Sequence, residues 1–93
     1  MRDDEVLEEC KIGLSISLDN LAFDRVLSQK ILAVKSFMRN AGVSEAKMNE
    51  DDLALGVIVM GVADLWQTGG GEVKFSSAFQ TIVNQLTYDD EEV

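Results

Sequence analysis

The sequence predicts an all-α fold, a small bundle of four helices, two long and two short. Three observations carry this. Apolar residues recur at three- and four-residue steps through most of the chain. Proline is absent, so no ring interrupts a helix. Leu53 to Trp66 reads LALGVIVMGVADLW, with Asp64 its one charge. That stretch falls short of the roughly 20 apolar residues that span a bilayer. A helix apolar on all sides must be covered on nearly all of them. It is therefore either the central post of a bundle or part of a subunit interface.

The first helix is expected from about Asp4 to Gly13. Asp3, Asp4 and Glu5 suit the positive end of the helix dipole. Val6, Leu7, Cys10 and Leu14 mark its apolar face, and Gly13 is the expected stop. Asp19 or Asn20 can cap a second helix, from about Leu21 to Asn40. Phe23, Leu27, Ile31, Val34, Met38 and Ala41 share one face of it, widened by Val26, Ala33 and Phe37. Asn40-Ala41-Gly42 offers a left-handed end.

Ser44 to Met48 reads as a polar link or one helical turn. Asn49 is the expected N-cap of the third helix, about Glu50 to Gln67, with Glu50, Asp51 and Asp52 in its first turn. Val57 to Met60 alone could be a strand, but the length of the run and the cap favour helix. Gly69, Gly70 and Gly71 form a flexible loop before the fourth helix. Ser77 and Gln80 have capping-box spacing. Phe79, Ile82, Val83 and Leu86 then give a short final helix. Residues 1–88 are thus expected as one helical domain and 89–93 as a disordered acidic tail. The expected core comprises Phe23, Leu27, Ile31, Val34, Met38, Val57, Met60, Trp66, Phe79, Ile82, Val83 and Leu86.

The 93 residues carry seventeen acids against eight bases, a net charge of −9. This excess disfavours nucleic acid and anionic membrane as direct ligands, since phosphate binding needs clustered Lys and Arg. Histidine is absent, which removes the commonest general base and a major metal ligand. Cys10 is the single cysteine, so no internal disulfide forms and a reducing, cytosolic setting fits. The acidic opening Asp3-Asp4-Glu5 is unlike a secretory leader, and none is expected. The glycine run lacks the Lys-Ser/Thr of a phosphate loop. Asp19-Asn20-Leu21 has the shape of an acyl carrier attachment site without its serine hydroxyl. No calcium-loop pattern occurs. No enzyme activity, cofactor or metal is expected.

Some charges sit oddly. Arg25, Lys35 and Arg39 share a stripe of the second helix with Leu32 in its middle. The stripe is either a solvated basic face or a contact strip for an acidic neighbour. Lys30 falls on the apolar face and either snorkels or pairs with Asp64. Gly56 and Gly61 permit close backbone approach, within the bundle or between subunits.

In order, these pieces resemble the small head–tail connector (adaptor) proteins of tailed bacteriophages and prophages. Leu7-Glu-Glu-Cys-Lys-Ile-Gly-Leu14 with Asp19-Asn20 is similar to the family's Leu-Glu-Glu-Val-Lys-like opening and Asp-rich turn. Ile31-Leu-Ala-Val-Lys-Ser-Phe-Met38, followed by Asn40-Ala-Gly-Val-Ser44, resembles its Ile-x-Ala-Ala-Lys-x-Tyr-Ile segment. The apolar helix ending at Trp66, and Phe79-x-x-Ile-Val-x-Gln-Leu86, match its last two helices in kind. Two features depart from the pattern. Gln-Thr-Gly-Gly-Gly71 stands where the family has Glu-Asn-Arg, and the family's proline between helices two and three is missing.

The resemblance implies a structural virion protein that forms a ring on assembly, the isolated chain being either monomeric or already associated. The ring would bind beneath the portal protein, surround the DNA channel without binding DNA specifically, and receive the stopper or tail-completion protein. It implies location at the head–tail junction of the virion, after synthesis in the bacterial cytoplasm. The candidate oligomer and portal contacts are Arg25, Leu32, Lys35, Arg39, Gly69, Gly70, Gly71, Val73 and Phe75. The competing reading is an acidic helical regulator or inhibitor of a basic protein, a possible DNA mimic.

Overall fold

The computed structural model describes residues 3–68 and 75–91. Among them all regular structure is helical, in five helices: α1 (Asp3–Gly13), α2 (Asp24–Ala41), α3 (Glu45–Glu50), α4 (Asp52–Thr68) and α5 (Ser77–Glu91). The polar link thus folds as a helix of its own, α3. The expected short final helix is 15 residues long and runs into the acidic segment as far as Glu91. Gly69, Gly70, Gly71 and Val73, and with them the expected flexible loop, lie outside the described residues, as do Glu92 and Val93.

Each boundary has a local cause. α1 does not stop by virtue of Gly13. Ser15 takes the left-handed conformation at φ 61°. Its N–H donates to Ile12 O and that of Ile16 to Lys11 O, at 3.1 and 2.8 Å. These two bonds make a Schellman closure. Gly13 is the last residue of α1 and packs close to α4, where an added Cβ would meet Val59 Cγ1 at 3.2 Å.

The Asn20 side chain accepts from the Ala22 N–H at 3.0 Å, closing a turn and not capping a helix. α2 begins later, at Asp24, without a side-chain cap. It ends as expected at Gly42, φ 112°, with N–H bonds from Gly42 to Arg39 O and from Val43 to Met38 O. Val43, just past the end, is buried.

Ser44 caps α3 by accepting from the Lys47 N–H at 3.1 Å. Asn49, the expected cap of the apolar helix, lies inside α3. The cap is Asp51, whose carboxylate accepts from the Leu53 N–H at 2.8 Å. Asp51 also closes α3, donating its N–H to Lys47 O, so one residue joins the two helices. The α5 cap is Ser76 and not Ser77, its Oγ accepting from the Phe79 N–H at 3.2 Å.

α4 is the packing centre and touches each of the other four helices. It buries Ala54, Val57, Ile58, Val62 and Leu65. Against them lie Val6 and Cys10 of α1, Leu27, Ile31, Val34 and Met38 of α2, Met48 of α3, and Phe79, Val83 and Leu86 of α5. Met60, Trp66 and Ile82 are half-buried on the edge of this core. Phe23 is the exception to the expected core, at 39% exposure. It precedes the first turn of α2, where cover thins, and rests edge-on against Trp66 with ring centres 5.5 Å apart.

Candidate interaction surface

Two grooves flank α1, because a short helix laid on two longer ones cannot fill the gap on either side. On the α4 side the groove occupies about 390 Å³ between Glu9, Ile12 and Gly13 of α1 and Asp52, Leu55, Gly56 and Val59 of α4. Its walls are apolar and the carboxylates stand at its rim. Ile12 is 59% exposed here, and Leu53 nearby is 49% exposed. On the α2 side, Asp4 and Leu7 face Ser28, Ile31, Leu32 and Lys35.

The expected basic strip of α2 is only partly a free surface. Arg25 is exposed and Leu32 is 65% exposed. Lys35 is not on the open face: it is buried beside α1 at 8% exposure and partnered within the chain. Arg39 reaches the next helix, its Nε donating to Glu45 Oε1 at 2.6 Å. Helical spacing groups these four side chains but does not say which edge of the stripe α1 covers.

Phe75, named above as a contact residue, is half-buried and engaged within the chain. Its ring lies 4.5 Å from that of Phe79 and 4.8 Å from that of Phe37. The backbone beside it is held by Asp64, whose Oδ2 accepts from the Ser76 N–H at 3.0 Å. Gln80 adds a bond from Nε2 to Phe75 O at 3.1 Å. Among the described residues Asp64 forms no ion pair with Lys30. Its carboxylate serves the start of α5 instead.

Sequence reasoning missed a second anchoring charge. Lys11, 3% exposed, forms an ion pair with Asp24 at 2.6 Å. It also donates to Leu18 O at 3.3 Å, fixing the connection between α1 and α2 from inside. Its position one residue after Cys10, on the flank of the α1 apolar face, was the available signal.

Cys10 is fully buried, and burial, with Glu9 adjacent, pushes its thiol up to about 11. It is a thiol at neutral pH, packed and unreactive. Among the described residues no group of three or more Cys, Asp or Glu is placed to hold a metal ion. No helix of the described residues is long and apolar enough to cross a membrane. Compared with known protein families, characterised proteins and solved structures, the chain matches none.

Proposed function

We propose that this chain is a head–tail connector of a tailed bacteriophage or prophage, a small helical bundle that works by assembly and not by catalysis. Subunits would join into a ring beneath a portal protein, continue the DNA channel and present a surface to a stopper or tail-completion protein. The observation that carries the reading is the order of the four connector-like sequence pieces, which fall in turn on α1, α2, α4 and α5.

The surface supports it. Ile12, Leu21, Leu32 and Leu53 stand about half or more exposed on different elements. Scattered single apolar residues are ordinary, but here Ile12 borders an apolar groove and Leu32 a basic strip. A ring subunit needs two such contact faces. The mechanism is geometric. Apolar contacts close the ring, while acidic side chains facing the channel would repel DNA phosphates and let the genome slide.

Electron microscopy of the chain mixed with a phage portal protein tests this. A ring of density beneath the portal is expected. If the chain stays monomeric with the portal and instead binds a basic protein stoichiometrically, the reading gives way to that of an acidic regulator.

A further inference from the structure

Two glycines interrupt α4, and each weakens a helix by about 1 kcal/mol relative to alanine. Gly61 has a reason inside the chain: a Cβ there would meet the Phe79 ring at 2.6 Å and Val34 Cγ1 at 2.9 Å. Gly56 has no such reason, since a Cβ there would have nothing within 4 Å. It opens into the groove between α1 and α4, beside Ile12, Leu55 and Val59, with Glu9 and Asp52 at the rim. A glycine in such a floor lets an incoming side chain sit against backbone.

The same molecule carries a ridge of matching character. Of the basic residues of α2, Lys35 is buried and partnered within the chain and Arg39 pairs with Glu45, which leaves Arg25 exposed on the outer face, in a chain of net charge −9. Leu32 stands out from the same helix, 65% exposed. Arg25 and Leu32 are seven residues apart, two helical turns less about 20°, so they share a face about 10 Å apart along the axis. Asp52 and Val59 have the same seven-residue separation on α4. A leucine seated by Gly56 and Val59 therefore brings the arginine to the end of the groove where Asp52 and Glu9 stand.

We infer that the groove between α1 and α4 receives the Leu32–Arg25 ridge of α2 from a second copy of this chain. This rests on the connector reading and names the faces through which its subunits would join. A second copy fits better than an arbitrary partner, because the chain itself supplies an exposed arginine and leucine at the same seven-residue spacing as the acid and apolar ends of the groove. Ridge and groove are different patches. The contact therefore propagates head to tail, unless two copies exchange both around a two-fold axis.

Mixing Leu32→Cys with Gly56→Cys under mild oxidation tests the pairing. Both positions are exposed, and buried Cys10 stays in place. The mixed disulfide is expected in clear excess over the statistical half of the products. In sedimentation, Arg25→Glu and Glu9→Arg are each expected to weaken self-association about tenfold, and their combination in one chain to restore it, as close charge pairs allow. If the chain associates while cross-links form statistically and Arg25→Glu has no effect, the pairing is overturned and ring assembly through other faces stands. If it neither associates nor cross-links selectively, the pairing is also overturned, and portal microscopy alone then decides the connector reading.

Discussion

At the scale of single residues, the buried groups make sharp statements about stability. Cys10 is a thiol whose ordinary value of 9.0 is pushed to about 11 by burial. The unfolded chain therefore releases that proton at lower pH than the folded one. Its contribution is complete below pH 9 and is lost as pH rises through 11, by at most about 3 kcal/mol. Denaturant midpoints measured from pH 7 to pH 11 should fall, and Cys10→Ala, less stable at neutral pH, should show a shallower fall. The glycines divide in the same way. Gly61→Ala forces Phe79 and Val34 apart and should cost about 1–3 kcal/mol. Gly56→Ala meets open space and should add up to about 1 kcal/mol to the stability of the monomer. Thermal unfolding of the two variants on dilute protein checks both signs. In the sequence these glycines are indistinguishable, five residues apart on one apolar helix. Only the positions of Phe79, eighteen residues on from Gly61, and of Val34 separate them.

At the scale of elements, periodicity located four of the five helices, missing the short polar α3, and did not locate their ends. The stretch from Asn49 to Asp52 holds four residues able to cap or charge a helix start, and Ser76 and Ser77 are two hydroxyls in a row. Which one caps is decided by where the preceding chain must turn. Asp51 wins because α3 already ends on it. The stripe on α2 likewise predicted a face, and its interior residues Leu27, Ile31, Val34 and Met38 are buried, but its edges depended on neighbours. Phe23 lies where cover ends, and Lys35 lies where α1 supplies it.

Of the two anchoring charges, Asp64 was legible as an odd charge but not as to role, and Lys11 was not singled out at all. Asp64→Ala removes the acceptor for the Ser76 N–H and should cost about 1–3 kcal/mol, loosening the first turn of α5 before the rest, as hydrogen exchange would register. Asp64→Asn keeps an oxygen acceptor and should retain most of that stability. Lys11→Met leaves the Asp24 carboxylate, 32% exposed, without its counter-charge and should cost about 1–3 kcal/mol. Adding Asp24→Leu to Lys11→Met should recover part of the loss, because apolar side chains can replace an ion pair of which the lysine is buried. Failure of that recovery in chemical denaturation would mean that the helix-start charge of Asp24 matters more than its pairing.

At the scale of the whole molecule, two forces oppose each other when copies meet. Each chain carries −9, so every contact brings like charges together. The local ion pairs available to offset this are few. Arg39 already reaches Glu45 of its own chain, and a rim pair such as Arg25 with Glu9 or Asp52 contributes about 0–1 kcal/mol, so that reversing one charge, which trades attraction for repulsion, changes the contact by up to about twice that. The apolar contact of Leu32 with the groove can add up to about 2 kcal/mol by burial. Repulsion is spread over the whole surface, between charges farther apart than those of a close ion pair, and is therefore screened first as the Debye length shortens to about 8–10 Å and below. Added salt should therefore remove more repulsion than attraction. Sedimentation velocity at fixed protein concentration is expected to show the oligomer fraction rising as salt is raised from about 50 to 500 mM. Dissociation over the same range would mean that a few close ion pairs dominate the contact and that the apolar groove is secondary.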